Sequence, residues 1–208
     1  MSIGAVRRLR SGLKQFFTFR QGQVAARRYA REQQRIRNGL EKQVERRLTS
    51  ALNKRLRMIT DEVRQGGSPD LFGVTEPLRA ELEAVLSAHV RRVFTAIYDY
   101  NNDRYKNLPT KAVEDEAEFG FGFGTSAAFN SIIDQYLLTR QSFLVNMTQA
   151  QGRRIIERVL ELREAGNNLN QIASTLNAEF GAVNRRRAAL IARTETHNAA
   201  SFANNEYH

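Results

Sequence analysis

The chain contains no cysteine, so disulfides and thiolate metal sites are excluded. Its three histidines, His89, His197 and His208, are too scattered for a metal site, and no H-E-x-x-H spacing occurs; neither a metal nor any other cofactor is expected. Long apolar runs are missing as well. The longest, Ala188 to Ala192, is far short of the ~20 residues that a membrane-spanning helix requires. The opening MSIGAVRRLRSGLKQFF lacks the continuous apolar core and small-residue cleavage site of a secretory signal. There is no nucleophile beside a base and no carboxylate pair at recognisable spacing, so no catalytic residue and no enzymatic activity are expected. The FGFGFG run, Phe119 to Gly124, is not a phosphate loop, because it lacks the preceding strand and the following Lys-Ser/Thr of that motif. No internal repeat is visible.

What is present is positive charge, and it is unevenly placed. The net charge is +10, yet residues 1 to 66 hold 17 Lys and Arg against 5 Asp and Glu, and the rest of the chain has 15 against 17. All the excess therefore sits at the N-terminal end, which points to a polyanion-facing arm joined to a nearly neutral body.

In residues 5 to 20, Val6, Leu9, Leu13, Phe16 and Phe17 recur at helical spacing among basic residues. Such a basic amphipathic helix can lie on nucleic acid, on a membrane surface or in a partner's groove. From Gln23 to Gln65 there is no proline and no strand alternation, and Ile36, Leu40, Val44, Leu48, Leu52, Leu56, Ile59 and Val63 form one stripe. A helix of about 40 residues, ~60 Å long, is expected. The stripe steps by nearly four residues, so it drifts round a straight helix and requires a kink, near Asn38-Gly39, or different partners along its length. Arg7, Arg8, Arg10, Lys14, Arg20, Arg27, Arg28, Arg31, Arg35 and Arg37 are the candidate phosphate contacts of this arm.

Gly66 to Asp70 is the clearest break, with a second expected at Leu71 to Thr75. Thr75 as N-cap, with Pro77 in the first turn, would open a helix carrying Leu78, Leu82, Leu86, Val90, Phe94 and Ile97 inward and ending between Asn101 and Lys106. His89 lies on that face and reads as a core residue with its hydrogen bonds satisfied. The acidic KAVEDEAE, residues 111 to 118, reads as exposed and FGFGFG as an apolar hook. Thr125 or Ser126 then caps a helix with Phe129, Ile132, Ile133, Tyr136 and Leu137 inward. Another helix is expected over 140 to 165, with Phe143, Leu144, Ile155, Val159, Leu160 and Leu162 apolar. Gly166-Asn167-Asn168 ends it and caps a short helix from Leu169 that stops at Gly181.

The stretch NRRRAALIARTETHNAASFA, residues 184 to 203, says most about function. On a helix it places Ala188, Ile191, Ala192, Ala199, Phe202 and Ala203 on one face and Arg186, Arg193, His197 and Asn204 opposite. Glu195 falls inside the apolar arc. Its neighbours at three and four residues are Ile191, Ala192, Asn198 and Ala199, none of them basic, so a buried Glu195 needs a partner from another segment. The helix bearing Arg153, Arg154 and Arg158 is the expected source, while Thr194 belongs to the polar arc. Arg193 and Glu195 do not form an ADP-ribosyltransferase pair, since they share one helix two residues apart.

Arg187-Ala188, followed by Ile191-Ala192-Arg193-Thr194-Glu195-Thr196, resembles the signature of the phage Mu F-like minor head proteins, the head-morphogenesis family. The preceding Leu169, Ile172, Ala173, Leu176, Phe180 and Gly181 fit the same pattern, and the resemblance is specific over about 150 to 203. It marks Arg187, Arg193, Thr194, Glu195 and Thr196 as a structural family motif. Members usually continue into a strand-containing segment rich in Trp, Asp, Arg and His, so the resemblance implies either a short member or a chain that runs on past His208.

The expected architecture is mainly α: a long basic N-terminal helical arm (1–66), a linker and amphipathic helix (67–110), and a C-terminal helical bundle of Mu F-like type (111–208). The resemblance implies a virion protein in the capsid interior near the portal vertex. Its partners would be the portal protein, packaged double-stranded DNA bound without sequence preference, and other head proteins or copies of itself, and its role head assembly and DNA packaging or ejection. The competing expectation is a membrane-active ejection or toxin-delivery protein that uses the basic N-terminal helix.

Overall fold

The computed structural model describes the backbone of residues 3–106 and 127–207 and, within these, the side chains of residues 24–103, 127 and 130–205. Among the described residues there are four helices and no strand: α1 (Ile3–Arg64), α2 (Leu71–Lys106), α3 (Ala127–Glu164) and α4 (Leu169–Tyr207). The fold is mainly α, as the patterning implies. The compact units part between Asn38 and Gly39, not at residue 66, so the second half of α1 belongs to the same unit as α2, α3 and α4. The acidic run, FGFGFG, and Thr125 and Ser126 lie outside the described residues.

In the unit from Gly39 onwards, four helices form an up-down-up-down bundle stacked in layers. Leu40 of α1 packs against a layer made by Val90, Val93, Phe94 and Ile97 of α2, Ile133 and Tyr136 of α3, and Ala199, Ala200 and Ala203 of α4. In the next layer Val44, Leu48 and Leu52 meet Leu78, Leu82 and Leu86 of α2, Leu144 of α3, and Ala188, Ile191 and Ala192 of α4. At the far end Leu56 and Val63 pack with Val159, Leu162, Ile172 and Leu176, and Ile59 with Val74 and Ile155. The drifting stripe of α1 is thus accommodated by changing partners along its length. Each fully buried Leu or Ile contributes roughly 1.5–3 kcal/mol relative to leaving it exposed.

The connections are set by local chemistry. Gly66, at φ 87°, and Gly166, at φ 77°, occupy the left-handed conformation that ends α1 and α3. In each case the N–H five residues on returns to a helix carbonyl, Gly67 to Glu62 at 2.9 Å and Asn167 to Leu162 at 3.0 Å. Asn168 and Gln171 form a reciprocal capping box at the start of α4, with bonds of 2.9 and 3.0 Å. Arg163 donates to the Gly67 carbonyl at 2.6 Å and so ties the α1–α2 turn to α3.

Three expectations are corrected. Helix α2 begins at Leu71, and its cap is Asp70, whose carboxylate accepts the Gly73 N–H at 2.8 Å; Thr75 is already helical and turns its hydroxyl back to the Leu71 carbonyl at 2.8 Å. Pro77 therefore lies inside the helix and not in its first turn. The two helices expected between 127 and 165 are one, α3, because the sequence between them contains no proline or glycine and Thr139 satisfies its hydroxyl on the Tyr136 carbonyl. Phe143 and Leu160 on this helix, though apolar, are exposed. Gly181 does not end a short helix either: α4 passes through it, since a lone glycine costs only about 1 kcal/mol within a well-packed helix.

Where α3 crosses the start of α2, a Cβ on Gly152 would stand 2.6 Å from Thr75 Cγ2 and 3.1 Å from Leu71 Cδ1, whereas a Cβ on Gly181 would meet nothing within 4 Å. Gly152→Ala is expected to destabilise the protein by about 1–3 kcal/mol through overpacking. Gly181→Ala is expected to stabilise it by about 0.5–1 kcal/mol through helix propensity. Urea denaturation of the two variants checks the opposite signs.

Candidate functional site

The inward positions of helix α4 are small: Ala188, Ala192, Ala199 and Ala200 are wholly buried. Glu195 sits among them at 3 % exposure. A charge so placed must be met from outside its own helix, and α3 meets it with two residues one turn apart. Tyr136 donates its hydroxyl to Glu195 Oε2 at 3.2 Å. Arg140 brings Nε to 3.3 Å from the same oxygen, forming an ion pair without hydrogen-bond alignment. The Arg140 guanidinium also lies 5.0 Å from the centre of the Tyr136 ring. Phe94 and Phe202 complete a triangle of rings with Tyr136, at centroid separations of 5.4 to 5.9 Å. Burial raises the Glu195 carboxyl above its ordinary range, against the opposing pull of Arg140 and Tyr136. The Tyr136 hydroxyl is pushed up to about 12, first by burial and then by the Glu195 charge.

The partner helix is the one the sequence points to, but the arginine is not among Arg153, Arg154 and Arg158. Helices α3 and α4 run antiparallel, so contacts step back along α3 as they step forward along α4. Arg158 accordingly meets Glu179, with bonds of 2.8 and 3.0 Å, while Arg153 and Arg154 are exposed. Only a residue near the start of α3 reaches Glu195.

The remaining motif residues each face a different neighbour. Arg187 is half-buried and donates to Gln151 Oε1 at 2.6 Å. Gln151 donates to Asn184 at 3.0 Å, and Asn184 to Asn53 of α1 at 3.2 Å, a polar chain that ties three helices together. Burial and the nearby Arg154 charge lower the Arg187 pKa. Arg193 is largely exposed and pairs with Glu41 of α1 at 3.5 Å. Thr194 is exposed, as its place on the polar arc implies. Thr196 is buried, with its hydroxyl 2.8 Å from His89 Nε2 of α2. His89 is therefore a satisfied core residue, as its place on the apolar face implies. Burial, with Arg92 as a like charge, holds its imidazole down at about 4. The motif thus reaches α1, α2 and α3 at once. The pairings of Thr196 with His89 and of Asn184 with Gln151 are not legible in the sequence, because each joins residues at least 33 positions apart; the only signal is a polar side chain on an otherwise apolar face.

Of the candidate phosphate contacts, Arg7, Arg8, Arg10, Lys14 and Arg20 lie on the described backbone of α1, with side chains outside the described set. Arg27, Arg28, Arg31 and Arg35 are exposed, and Arg27, Arg31 and Arg35 follow one another at four-residue steps along one face. Arg35 shares its charge with Glu32 at 3.6 Å. Arg37 differs: it is half-buried, and its Nε is buried without a hydrogen-bond partner. Among the described residues no group of three His, Cys, Asp or Glu side chains could hold a metal ion, and no helix is long and apolar enough to cross a membrane.

Removing one partner of a buried ion pair typically costs ~3–5 kcal/mol. Glu195→Ala is expected near the lower end, about 3 kcal/mol, because the Arg140 side chain left behind is 29 % exposed and can reach water. Thr194→Ala should fall within about 0.5 kcal/mol of the parent. A second expectation concerns pH. Because His89 binds its proton less readily folded, at about 4, than unfolded, at 6.5, its stabilisation is complete above pH 6.5 and is lost as the pH falls from 6.5 towards 4. Denaturation at pH 7, 6 and 5 should show a shallower decline in His89→Gln than in the parent. No known protein family matches the chain, nor does any curated protein or solved structure.

Proposed function

We propose that this protein is a phage minor head protein, associated with the portal inside the capsid, whose N-terminal helix contacts packaged double-stranded DNA without reading its sequence. The observation that carries the reading is where the charge changes. Residues 1–38 contain 10 Lys and Arg against 1 acidic residue, whereas residues 39–208 contain 22 against 21, so nearly all the excess positive charge lies in the first compact unit. All ten candidate phosphate contacts fall in the first unit. A stripe such as Arg27, Arg31 and Arg35 offers one cation every ~6 Å of helix. Duplex DNA offers one negative charge per ~1.7 Å of axis, so each guanidinium finds a phosphate in any register. Affinity then comes from counterion release and is indifferent to base sequence. The nearly neutral bundle, locked by the Arg187 to Thr196 motif, supplies the rigid body that such an arm needs, and the motif's likeness to head-morphogenesis proteins supplies the class.

The full-length protein is expected to bind duplex DNA of unrelated sequences equally, with affinity falling steeply as salt rises. Replacing Arg27, Arg28, Arg31 and Arg35 by Gln should weaken binding and reduce the slope of log affinity against log salt by about 3–4, at ~0.9 per lost phosphate contact. An unchanged slope would overturn the role of the arm. Quantitative mass spectrometry of purified particles should find the protein with the portal, in far fewer copies than the major capsid protein. Absence from particles, together with flotation on anionic liposomes that depends on Phe16 and Phe17, would favour membrane delivery instead.

A further inference from the structure

Beside the Glu195 pair the bundle is not closed. A cavity of about 250 Å³ opens between α2 and α3, walled by Leu86, Val90 and Leu137 and lined also by Glu83, Arg140 and Glu195. That is far above the ~10–15 Å³ that a single water needs. The protein contacts made by Glu195 are lopsided, since the Tyr136 hydroxyl and Arg140 Nε both address Oε2. The carboxylate is nine-tenths buried and lines the cavity, yet Oε1 receives no donor from the described residues. An ionised carboxylate has about four acceptor sites, and those of Oε1 that no described residue meets remain open to whatever occupies the cavity.

The charge around the cavity is unbalanced in the same sense. Glu83 makes no ion pair among the described residues, and Asp134 at the rim is already occupied by Arg91 at 2.8 Å. Arg140 is the single cation of the lining and offsets one of the two remaining carboxylates. A neutral occupant could donate a hydrogen bond but would leave the excess negative charge of the lining, and an anionic one would be repelled by Glu83 and Glu195. A cationic head on a short methylene stem satisfies both conditions: its N–H groups donate to the carboxylates, and its stem lies against the leucine and valine walls. We propose that this cavity is a binding site for an alkylammonium or alkylguanidinium group, with Glu195 Oε1 as its principal acceptor. The same chemistry has two sources, a free small amine or a Lys or Arg side chain presented by another protein, and the site does not depend on the head-protein reading.

The test uses the full-length protein and amide chemical shifts at constant ionic strength, with butylammonium, butylguanidinium, butanol and butyrate as probes. Saturable shifts with the two cations, centred on Leu86, Val90, Leu137 and Glu195 and at least tenfold weaker with butanol and butyrate, are expected. Glu195→Gln keeps the side-chain shape and should weaken cation binding at least tenfold. Ser87→Phe, which fills the cavity and leaves the Glu195 side chain unchanged, should abolish it, and dispersed spectra of both variants establish that they fold. A lysine-containing peptide that binds at least tenfold more tightly than butylammonium identifies a protein side chain as the occupant, and equal or weaker binding identifies a free amine. Equal binding of butanol and butylammonium, no saturation by either cation, or undiminished cation binding in Glu195→Gln or Ser87→Phe would overturn the proposal.

Discussion

The bundle depends on how the other helices meet the buried face of α4. Alanines fill its inward positions, and the one acidic residue in the arc, Glu195, is buried among them. A carboxylate in that position must be matched from another helix, and α3 supplies a hydrogen bond from Tyr136 and the charge of Arg140, both at Oε2. Sliding α4 by one turn along α3 would separate the pair and leave a buried charge unmet, at a cost of several kcal/mol. The pair therefore discriminates between registers that alanine packing alone would tolerate.

Other buried polar contacts act in the same way along the bundle. Asn184 joins Gln151 of α3 to Asn53 of α1, and Thr196 meets His89 of α2. None of these is worth more than about 1–2 kcal/mol by itself, but each leaves an unsatisfied group if its helix shifts. Arg187, Arg193, Glu195 and Thr196 lie within ten residues and address three different helices, so the motif carries much of the information that orders the bundle. Such a motif has a structural role, and the basic character of the chain lies elsewhere, on residues 1–38.

Much of this architecture is legible in the amino-acid sequence. The apolar periodicities of all four helices, the break at Gly66 to Asp70, the turn at Gly166-Asn167-Asn168 and the burial of Glu195 follow from spacing and turn chemistry, because these depend on residues within a few positions of one another. The places where the local pattern misleads share a cause. Thr75 has the chemistry of a cap, but Asp70 lies just before the first helical residue and its carboxylate caps better. Gly181 has the character of a stop, and a boundary near Arg140 is locally reasonable, yet packing along α3 and α4 overrides such weak signals.

The sequence by itself determined the helical class, the faces that are buried, the segregation of charge, and the need of Glu195 for a foreign partner, since each is a property of one helix or of composition. Only the tertiary structure decided that the partner is Arg140 with Tyr136, that half of α1 belongs to the bundle, and that a cavity is left beside the pair. Those outcomes depend on the direction and register in which helices pack, and that is set by the sum of many weak contacts between distant residues, which no local pattern encodes.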